Sequence, residues 1–330
     1  MLLVLESKMK KALIVGINRY SQCPLQGCCN DADGVAKVLE TNGDGSPNFS
    51  IKLKKDIDKK GDLRKLIEEC FSNDEDIALF YYSGHWYIDN IGGYLVTPDY
   101  TDGDYGVSLQ DILTIVNNSR CKNKIVILDS CFSGFMGSKK ISGQTTANIG
   151  EGVTILTASR ATEQSIEREG HGLFTSLLIE ALLGGAADVT GHITPGGVYA
   201  YIDKALGPWT QRPVFKTNVN RFTSLRTVTP QVDISTIRKI VEYFSDEAAH
   251  FPLNPSFEPS NSENVRHEVV KPYADCRNTK IFFDLQQLEG VGLVVPVGEK
   301  HMYYAAMKSK ACKLTLLGQQ YWRLVKEHLI

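Results

Sequence analysis

The chain lacks a long apolar segment, a Cys-x-x-Cys pair and a strong excess of either charge. No hydrophobic run in its 330 residues approaches the roughly 18 that a membrane-spanning helix needs. The eight cysteines lack the spacing of metal or redox motifs, so we expect reduced thiols. A net charge of -2 argues against a strongly electrostatic nucleic-acid binder. The first eight residues have neither a basic start nor a small-residue cleavage site, so we expect a cytoplasmic protein.

Apolar, strand-like segments alternate with amphipathic, helix-like segments over the first two thirds of the chain. This alternation predicts an α/β fold with a mostly parallel sheet that helices cover on both faces. The predicted strands are 11–18, 50–54, 76–85, 124–131, 153–159 and 212–218. The predicted helices are 31–41, 61–71, 108–118, 173–183 and 197–206. Pro213 cannot donate a ladder hydrogen bond, so the last strand is predicted at an edge.

Two of the predicted strands end in residues that carry chemistry. One apolar run leads into Ser83-Gly-His85 and another into Asp129-Ser-Cys131. Catalytic groups of such sheets gather at the carboxyl ends of parallel strands, which is where a cysteine–histidine dyad belongs. The structural alternative is that Cys131 is a small buried hydrophobe and His85 a satisfied polar group.

Five short motifs make the reading more specific. They are Gly16-Ile-Asn-Arg-Tyr, Leu25-Gln-Gly-Cys-Cys-Asn-Asp-Ala, Tyr82-Ser-Gly-His, Asp129-Ser-Cys-Phe-Ser-Gly and Gln211-Arg-Pro-Val-Phe. In this order and spacing they resemble the caspase-like peptidases, particularly the metacaspase and prokaryotic caspase-homologue branch. The resemblance implies a peptidase domain over residues 9–222, with Cys131 as the nucleophile and His85 as the general acid and base.

The resemblance also implies an oxyanion hole made by the backbone amides of Cys131 and of Trp86. The family usually has glycine after the histidine, so Trp86 is a departure. Either the indole lines the cleft and shapes the subsites, or it distorts the oxyanion hole and leaves a poor or conditionally active enzyme. We favour the first, because the surrounding motifs are intact.

Substrate specificity follows from charge in the same resemblance. Relatives that cleave after arginine or lysine use acidic pocket residues, which map to Asp31, Ser83 and Asp129 here. Two carboxylates that face one pocket repel unless a cation lies between them. The local alternatives are that Asp31 caps its helix and that Asp129 accepts loop amides. Arg160 is a competing cue for cleavage after aspartate, and we regard that specificity as the weaker hypothesis.

Many metacaspases need calcium, held by acidic residues after the histidine strand. This chain has Asp99, Asp102 and Asp104 there, but 106–110 carries no carboxylate, so we expect no site of that type, no other metal and no cofactor. The loop 134–152 contains Lys139 and Lys140, where related proteases are cut into two parts. Self-cleavage there is one reading, and a solvated flexible loop is the other.

The character of the chain changes after residue 222. We predict a linker with one helix over 223–272, and a helix, two short strands and a helix over 273–330, which resembles a winged-helix domain. Residues 263–330 hold 10 Lys and Arg against 7 Asp and Glu, which permits nucleic acid without demanding it. Binding of a regulatory protein partner is at least as good a hypothesis for this region. The plainer alternative is that it simply packs against the protease domain. We expect no membrane contact.

The sequence therefore predicts a cysteine endopeptidase that cleaves protein substrates, with Arg or Lys before the cleaved bond. The resemblance suggests a role in cell death or in immune signalling such as antiviral defence. The competing hypothesis is a catalytically weak or inactive caspase-like scaffold that acts as a binding or sensor module.

Overall fold

The computed structural model of the protein describes residues 10–89, 91–132, 149–158, 167–168, 171–207, 212–220 and 223–330. For residues 130–132, 167–168 and 171 it describes the backbone alone. The chain divides into two compact units, Met1–Thr229 and Pro230–Ile330. Within these described ranges, no helix combines the length and the apolar character that crossing a membrane requires.

The first unit is built on an eight-stranded sheet with short accessory strands. Its strands are β1 Lys10–Gly16, β2 Ser50–Lys55, β3 Ile77–Ile88, β4 Gly93–Thr101, β5 Asp104–Ser108, β6 Asn123–Phe132, β7 Val153–Thr157, β8 Glu167–Arg168, β9 His171–Gly172, β10 His192–Ile193, β11 Val214–Asn218 and β12 Arg226–Thr227. Its helices are α1 Cys28–Glu40, α2 Lys60–Cys70, α3 Leu109–Asn118, α4 Leu173–Glu180 and α5 Pro195–Leu206. A π-helical turn, Ala181–Gly185, continues α4.

The sheet has the order β11-β7-β6-β3-β1-β2, and β4 and β5 extend it beyond the end of β1. The pairs among β7, β6, β3, β1 and β2 are all parallel, whereas β11 runs antiparallel to β7. The prediction of a mostly parallel sheet is therefore confirmed. Strand β11 lies at the edge of the sheet, as predicted from Pro213.

Two apolar layers pack against the two faces of this sheet. Alternate side chains of β3 separate them: Leu79 and Tyr81 face the layer that contains α1, α4 and α5, whereas Phe80 and Tyr82 face the layer that contains α2 and α3. These four side chains are fully buried. The long apolar runs of the sequence are therefore strands covered on both sides, which confirms that part of the predicted fold class.

The second unit has its own core and a three-stranded antiparallel sheet in the order β13-β15-β14. Its elements are α6 Ile234–Arg238, α7 Ile240–Tyr243, β13 His250–Pro252, α8 Cys276–Gly290, β14 Val294–Val297, α9 Met302–Met307, β15 Ala311–Leu314 and α10 Leu316–Lys326. The predicted order of a helix, two strands and a helix is present after residue 273. The structure adds the short helix α9 between the two strands, and a third strand, β13, from the segment before them.

The segment 223–272 differs from the linker that the sequence predicts. It reaches across the boundary of the two units, and its later part belongs to the core of the second unit. Phe244, Leu253 and Phe257 are buried, and the side chain of Asn261 is completely buried. The Asn261 amide donates to the carbonyls of Pro255, Val270 and Pro272, and its oxygen accepts from the Val270 amide. The proline, serine and asparagine that suggested a linker instead form a loop held by one polar side chain.

We expect Asn261→Ala to destabilise the second unit by about 2 kcal/mol or more, because it leaves several buried backbone groups without their partner. Asn264→Ala is the matched control, since Asn264 lies three residues away and is exposed. Urea unfolding followed by circular dichroism and tryptophan fluorescence measures the difference. Equal midpoints for the two variants would contradict the account of this loop.

Candidate active site

The register between β3 and β6 brings the predicted catalytic residues together. His85 is the direct Cα partner of Cys131, and Ser83 is the partner of Asp129. The strands are parallel, so both pairs lie toward the same carboxyl end of the sheet. The backbone of the predicted nucleophile therefore lies beside the predicted base, two residues beyond a pair of predicted pocket residues.

A glycine precedes His85 because there is no room for a side chain. A Cβ atom at Gly84 would lie 2.5 Å from the Tyr82 hydroxyl oxygen and 2.7 Å from that of Tyr20. The Tyr20 hydroxyl accepts a hydrogen bond of 3.1 Å from the His85 amide. The Tyr82 hydroxyl donates to the carbonyl of Val96 at 2.9 Å. These two hydroxyls fix the backbone on which the imidazole is mounted.

The His85 ring is buried and held from two sides. The ring of Tyr20 lies 4.4 Å away between centroids, and His85 Nε2 lies 2.7 Å from the carbonyl oxygen of Cys23. A carbonyl only accepts, so Nε2 carries the proton and the ring's lone pair is on Nδ1. Burial lowers the pKa of His85, and the Cys23 carbonyl opposes that shift. This shift favours the neutral imidazole, the form that a general base requires.

The loop that presents the Cys23 carbonyl is closed by Asn18. The Asn18 carbonyl accepts from the Leu25 amide at 2.9 Å, and its side-chain amide donates to the Gln26 carbonyl at 3.0 Å. Asp56 accepts from the Asn18 amide. Cys23 itself has a φ of 74°, which non-glycine residues rarely adopt. The motif Gly16-Ile-Asn-Arg-Tyr thus supplies Asn18, which closes the loop, and Tyr20, whose ring packs on the histidine.

Asp31 is 2 % exposed, and its side chain bonds from α1 to residues of β3 and β9. Its carboxylate accepts from the Ser83 hydroxyl at 3.0 Å and from the Gly172 amide at 3.2 Å. The N-cap of α1 is Gly27, so Asp31 does not cap that helix. The structure therefore brings Asp31 and Ser83 together, as the resemblance implies.

Asp129 is 3 % exposed and lies against the first turn of α4. Its Oδ2 accepts from the Thr175 hydroxyl at 2.5 Å and from the Thr175 amide at 3.2 Å. A Cβ atom at Gly172 would lie 2.7 Å from Oδ2 of Asp129 and 3.5 Å from Oδ2 of Asp31, so the two carboxylates converge on one glycine. Burial, and then the charge of Asp31, raise the pKa of Asp129 to about 7.

Trp86 has an extended backbone in β3, and its φ is not positive. The indole packs against Gly93 of β4, where a Cβ atom would lie 2.2 Å from the ring. Strand alternation assigns Trp86 to the same face as Tyr82, opposite the face of Ser83 and His85. The large side chain thus has a place that needs no glycine-only backbone angle at residue 86.

The acidic residues after the histidine strand already have protein partners. Asp99 accepts from the Lys60 amide and the Thr97 hydroxyl, and Asp104 forms an ion pair of 2.6 Å with the Lys60 side chain. Asp102 accepts from the Tyr105 hydroxyl. Among the residues that the structure describes, no group of three or more His, Cys, Asp or Glu side chains is placed to hold a metal ion.

Three residues from the sequence analysis, Lys139, Lys140 and Arg160, lie outside the described residues, as does the side chain of Cys131. The structure also places at the site three residues to which the sequence pattern assigns no role. Tyr20 was part of a quoted motif but had no assigned role, the Cys23 carbonyl has no side-chain signature, and Thr175 looked like one polar position in an apolar helix.

Comparison with known proteins gives the family of the chain. The model of the caspase-domain family matches residues 9–194, more than half of the chain. The chain belongs to the caspase family. The caspase fold is also seen in caspase-1 of Spodoptera frugiperda, with 16% identity, a TM-score of 0.50, and coverage of 67% of this chain and 91% of that one. No curated protein matches the sequence.

Two further solved structures resemble this caspase chain at lower scores. A protein of Geobacter sulfurreducens has 13% identity and a TM-score of 0.49, over 67% of this chain and 98% of its own. The structure described as pro-sf-caspase-1 has 14% identity and a TM-score of 0.48, over 67% and 92%. The family is one of cysteine peptidases, which supports the expected hydrolase class and implies protein substrates.

The raised pKa of Asp129 makes the stability of the caspase domain depend on pH. The folded protein holds this proton up to about pH 7, while an unfolded aspartate releases it near 3.8. The stabilisation is therefore complete below about pH 4 and is lost as pH rises toward 7. We expect Asp129→Asn to remove this pH-dependent loss of folding stability, because asparagine does not titrate. The variant should be more stable than the wild type at pH 8 by at most a few kcal/mol, since each pKa unit is worth about 1.4 kcal/mol.

Urea unfolding at several values between pH 4 and pH 8 measures this difference. Asp58→Asn, at an exposed position, is the control and should follow the wild type throughout. If Asp129→Asn loses stability between pH 4 and 7 as steeply as the wild type does, Asp129 does not hold the proton.

Proposed function

We propose that the protein is a cysteine endopeptidase of the metacaspase and prokaryotic caspase-homologue branch that cleaves after arginine or lysine. Cys131 is the nucleophile and His85 the general acid and base. The observation that carries the proposal is the β3–β6 register, in which His85 is paired with Cys131 and Ser83 with Asp129. The buried carboxylates of Asp31 and Asp129 next to this pair give the pocket its charge.

The chemistry needs a base, a nucleophile and donors for an oxyanion. Neutral His85 accepts the thiol proton of Cys131, the thiolate attacks the peptide carbonyl, and the protonated imidazole then gives its proton to the leaving amine. Water attacks the resulting thioester with His85 again as base, which releases the acid product and restores the thiol. The Cys23 carbonyl stabilises the imidazolium that forms in each half-reaction.

The backbone amides of Trp86 and Cys131 are the proposed donors to the oxyanion. An amide donor survives any side chain, and the packing of the indole against Gly93 supports a formed strand at residue 86. This favours the reading in which Trp86 accompanies an active enzyme. Loss of one such donor costs on the order of 100- to 1000-fold in rate, so the conformation at residue 86 matters to activity.

The pocket chemistry favours a cation over an anion. Asp31, Ser83 and Asp129 offer carboxylate and hydroxyl oxygens within one buried cluster, and two carboxylates in so little water are poorly stable without a positive charge. A guanidinium or ammonium group between them supplies that charge and hydrogen-bond donors. An aspartate side chain in the same place would add a third negative charge.

The second unit gives the enzyme a regulatory part. Its three-stranded antiparallel sheet and flanking helices support a winged-helix-like domain that binds a protein partner, with nucleic acid the weaker choice. The whole protein then acts in the cytoplasm in cell-death or immune signalling, where a protein substrate is activated or destroyed by cleavage.

We expect the wild type to hydrolyse fluorogenic peptides with arginine or lysine before the cleaved bond far faster than peptides with aspartate there. Cys131→Ala should abolish turnover, because no other thiol is paired with His85 in the register. Asp31→Asn and Asp129→Asn should each lower kcat/KM for the basic peptides by about tenfold or more, the effect of losing one charged partner. Asp58→Asn should leave it unchanged. Preference for the aspartate peptide, or no turnover of any peptide, would contradict the proposal.

The same specificity predicts self-cleavage after Lys139 or Lys140. Purified wild type should yield two fragments whose masses locate the cut, while Cys131→Ala and the double variant Lys139→Gln, Lys140→Gln stay intact. Mass spectrometry after incubation distinguishes these species. A Cys131→Ala protein that still fragments at these lysines in a clean preparation would show that another protease makes the cut.

A further inference from the structure

The hydrogen bonds of Asp129 continue into the protein through two buried hydroxyl groups. The Thr175 hydroxyl lies 2.5 Å from Oδ2 of Asp129, and the Tyr81 hydroxyl lies 2.5 Å from the Thr175 hydroxyl. The side chains of Thr175 and Tyr81 are fully buried. Three elements therefore meet in one line, with Tyr81 on β3, Thr175 on α4 and Asp129 on β6.

The acceptor character of a carboxylate decides which hydroxyl donates each hydrogen bond in this line. When Asp129 is ionised its carboxylate only accepts, so the Thr175 hydroxyl donates a hydrogen bond to Asp129 and accepts one from the Tyr81 hydroxyl. Burial first, and then the charges of Asp129 and Asp31, raise the pKa of Tyr81 well above its usual value, so the phenol keeps its proton. The line thus donates toward Asp129 and favours its charged form.

The charged groups that the structure describes around Asp129 disfavour its ionised form, in contrast to this line of hydrogen bonds. Asp31 on α1 is a second carboxylate, and Cys28 on the same helix acts on Tyr81, where it adds no positive charge. Burial also disfavours the anion. Apart from the Thr175 amide, the two hydroxyls are the described groups that favour an ionised Asp129, and Asp31 instead has the Ser83 hydroxyl and the Gly172 amide.

We propose that Thr175, backed by Tyr81, is a specificity-positioning residue that keeps Asp129 oriented and able to ionise when a basic substrate side chain binds near neutral pH. The inference rests on the proposed function, because Asp129 is taken as part of the substrate pocket. Neither residue touches the substrate: they act through the carboxylate. Without the Thr175 hydroxyl the pocket keeps its shape, but Asp129 retains its proton at higher pH and attracts a cation less.

The test uses Thr175→Val, which removes the hydroxyl but keeps the shape and the backbone amide, and Thr175→Ser, which restores a hydroxyl. The titration of the Asp129 carboxyl carbon is followed by NMR in the full chain with Cys131→Ala, and the signal is assigned by its loss in Asp129→Asn. We expect Thr175→Val to raise the midpoint by about one pH unit, Tyr81→Phe to raise it less, and Thr175→Ser to leave it near the wild-type value. An unchanged midpoint in Thr175→Val overturns the inference.

The kinetic arm uses the active enzyme and an arginine peptide. The acid limb of kcat/KM, which reports the free enzyme, should move to higher pH in Thr175→Val, with a loss of roughly tenfold at pH 6. The limb of kcat should move little, because the bound guanidinium keeps Asp129 ionised in the complex. A parallel loss of kcat at every pH would indicate general structural damage and would overturn the positioning role.

Failure of the proposed function has a different signature. In that case the wild type cleaves no basic peptide, or Asp129→Asn cleaves it as well as the wild type does, whatever the NMR midpoints are. The NMR midpoint of Asp129 could also shift in Thr175→Val while the acid limb of kcat/KM does not. That result would show that Asp129 does not select the substrate. It would overturn the specificity role of Thr175 but not its hydrogen bond to Asp129.

Discussion

The parallel pairing of β3 with β6 is the constraint on which the rest of the site depends. The side-chain period of a strand is two, so a slip of one residue would pair His85 with a neighbour of Cys131 and break the Ser83–Asp129 pair as well. The register is secured by full burial on both faces, where Leu79 and Tyr81 pack into one layer and Phe80 and Tyr82 into the other. The hydrophobic pattern that folds the sheet therefore also brings His85 beside Cys131.

Different groups hold the carboxylates and the histidine on either side of this register. The α1 and α4 face holds the acidic cluster, in which Asp31 and Asp129 converge on Gly172. The hydroxyls of Tyr20 and Tyr82 close over Gly84 and fix the backbone before His85. The buried carboxylates and the His85 imidazole are thus held by separate groups.

Much of the fold followed from the sequence because local pattern and burial coincide in α/β proteins. The strands ending at His85 and Cys131 and the edge position of β11 were predictable from apolar runs and from Pro213. The segment 223–272 was not, because its proline and serine content is typical of linkers while its fold depends on tertiary contacts of Asn261. Thr175 was missed for a similar reason, since its importance comes from Asp129, which is 46 residues away in sequence.

The acceptor for the imidazole of His85, the proposed general base, is the carbonyl of Cys23, a main-chain atom rather than a third side chain. An alanine scan of this loop would leave that oxygen in place and would underreport the part the loop plays in orienting His85. The dependence is on backbone shape, which is set by the closure at Asn18 and the left-handed angle at Cys23. Any residue at position 23 that tolerates this angle offers the same oxygen, so the requirement lies in the length and path of the loop and in Asn18.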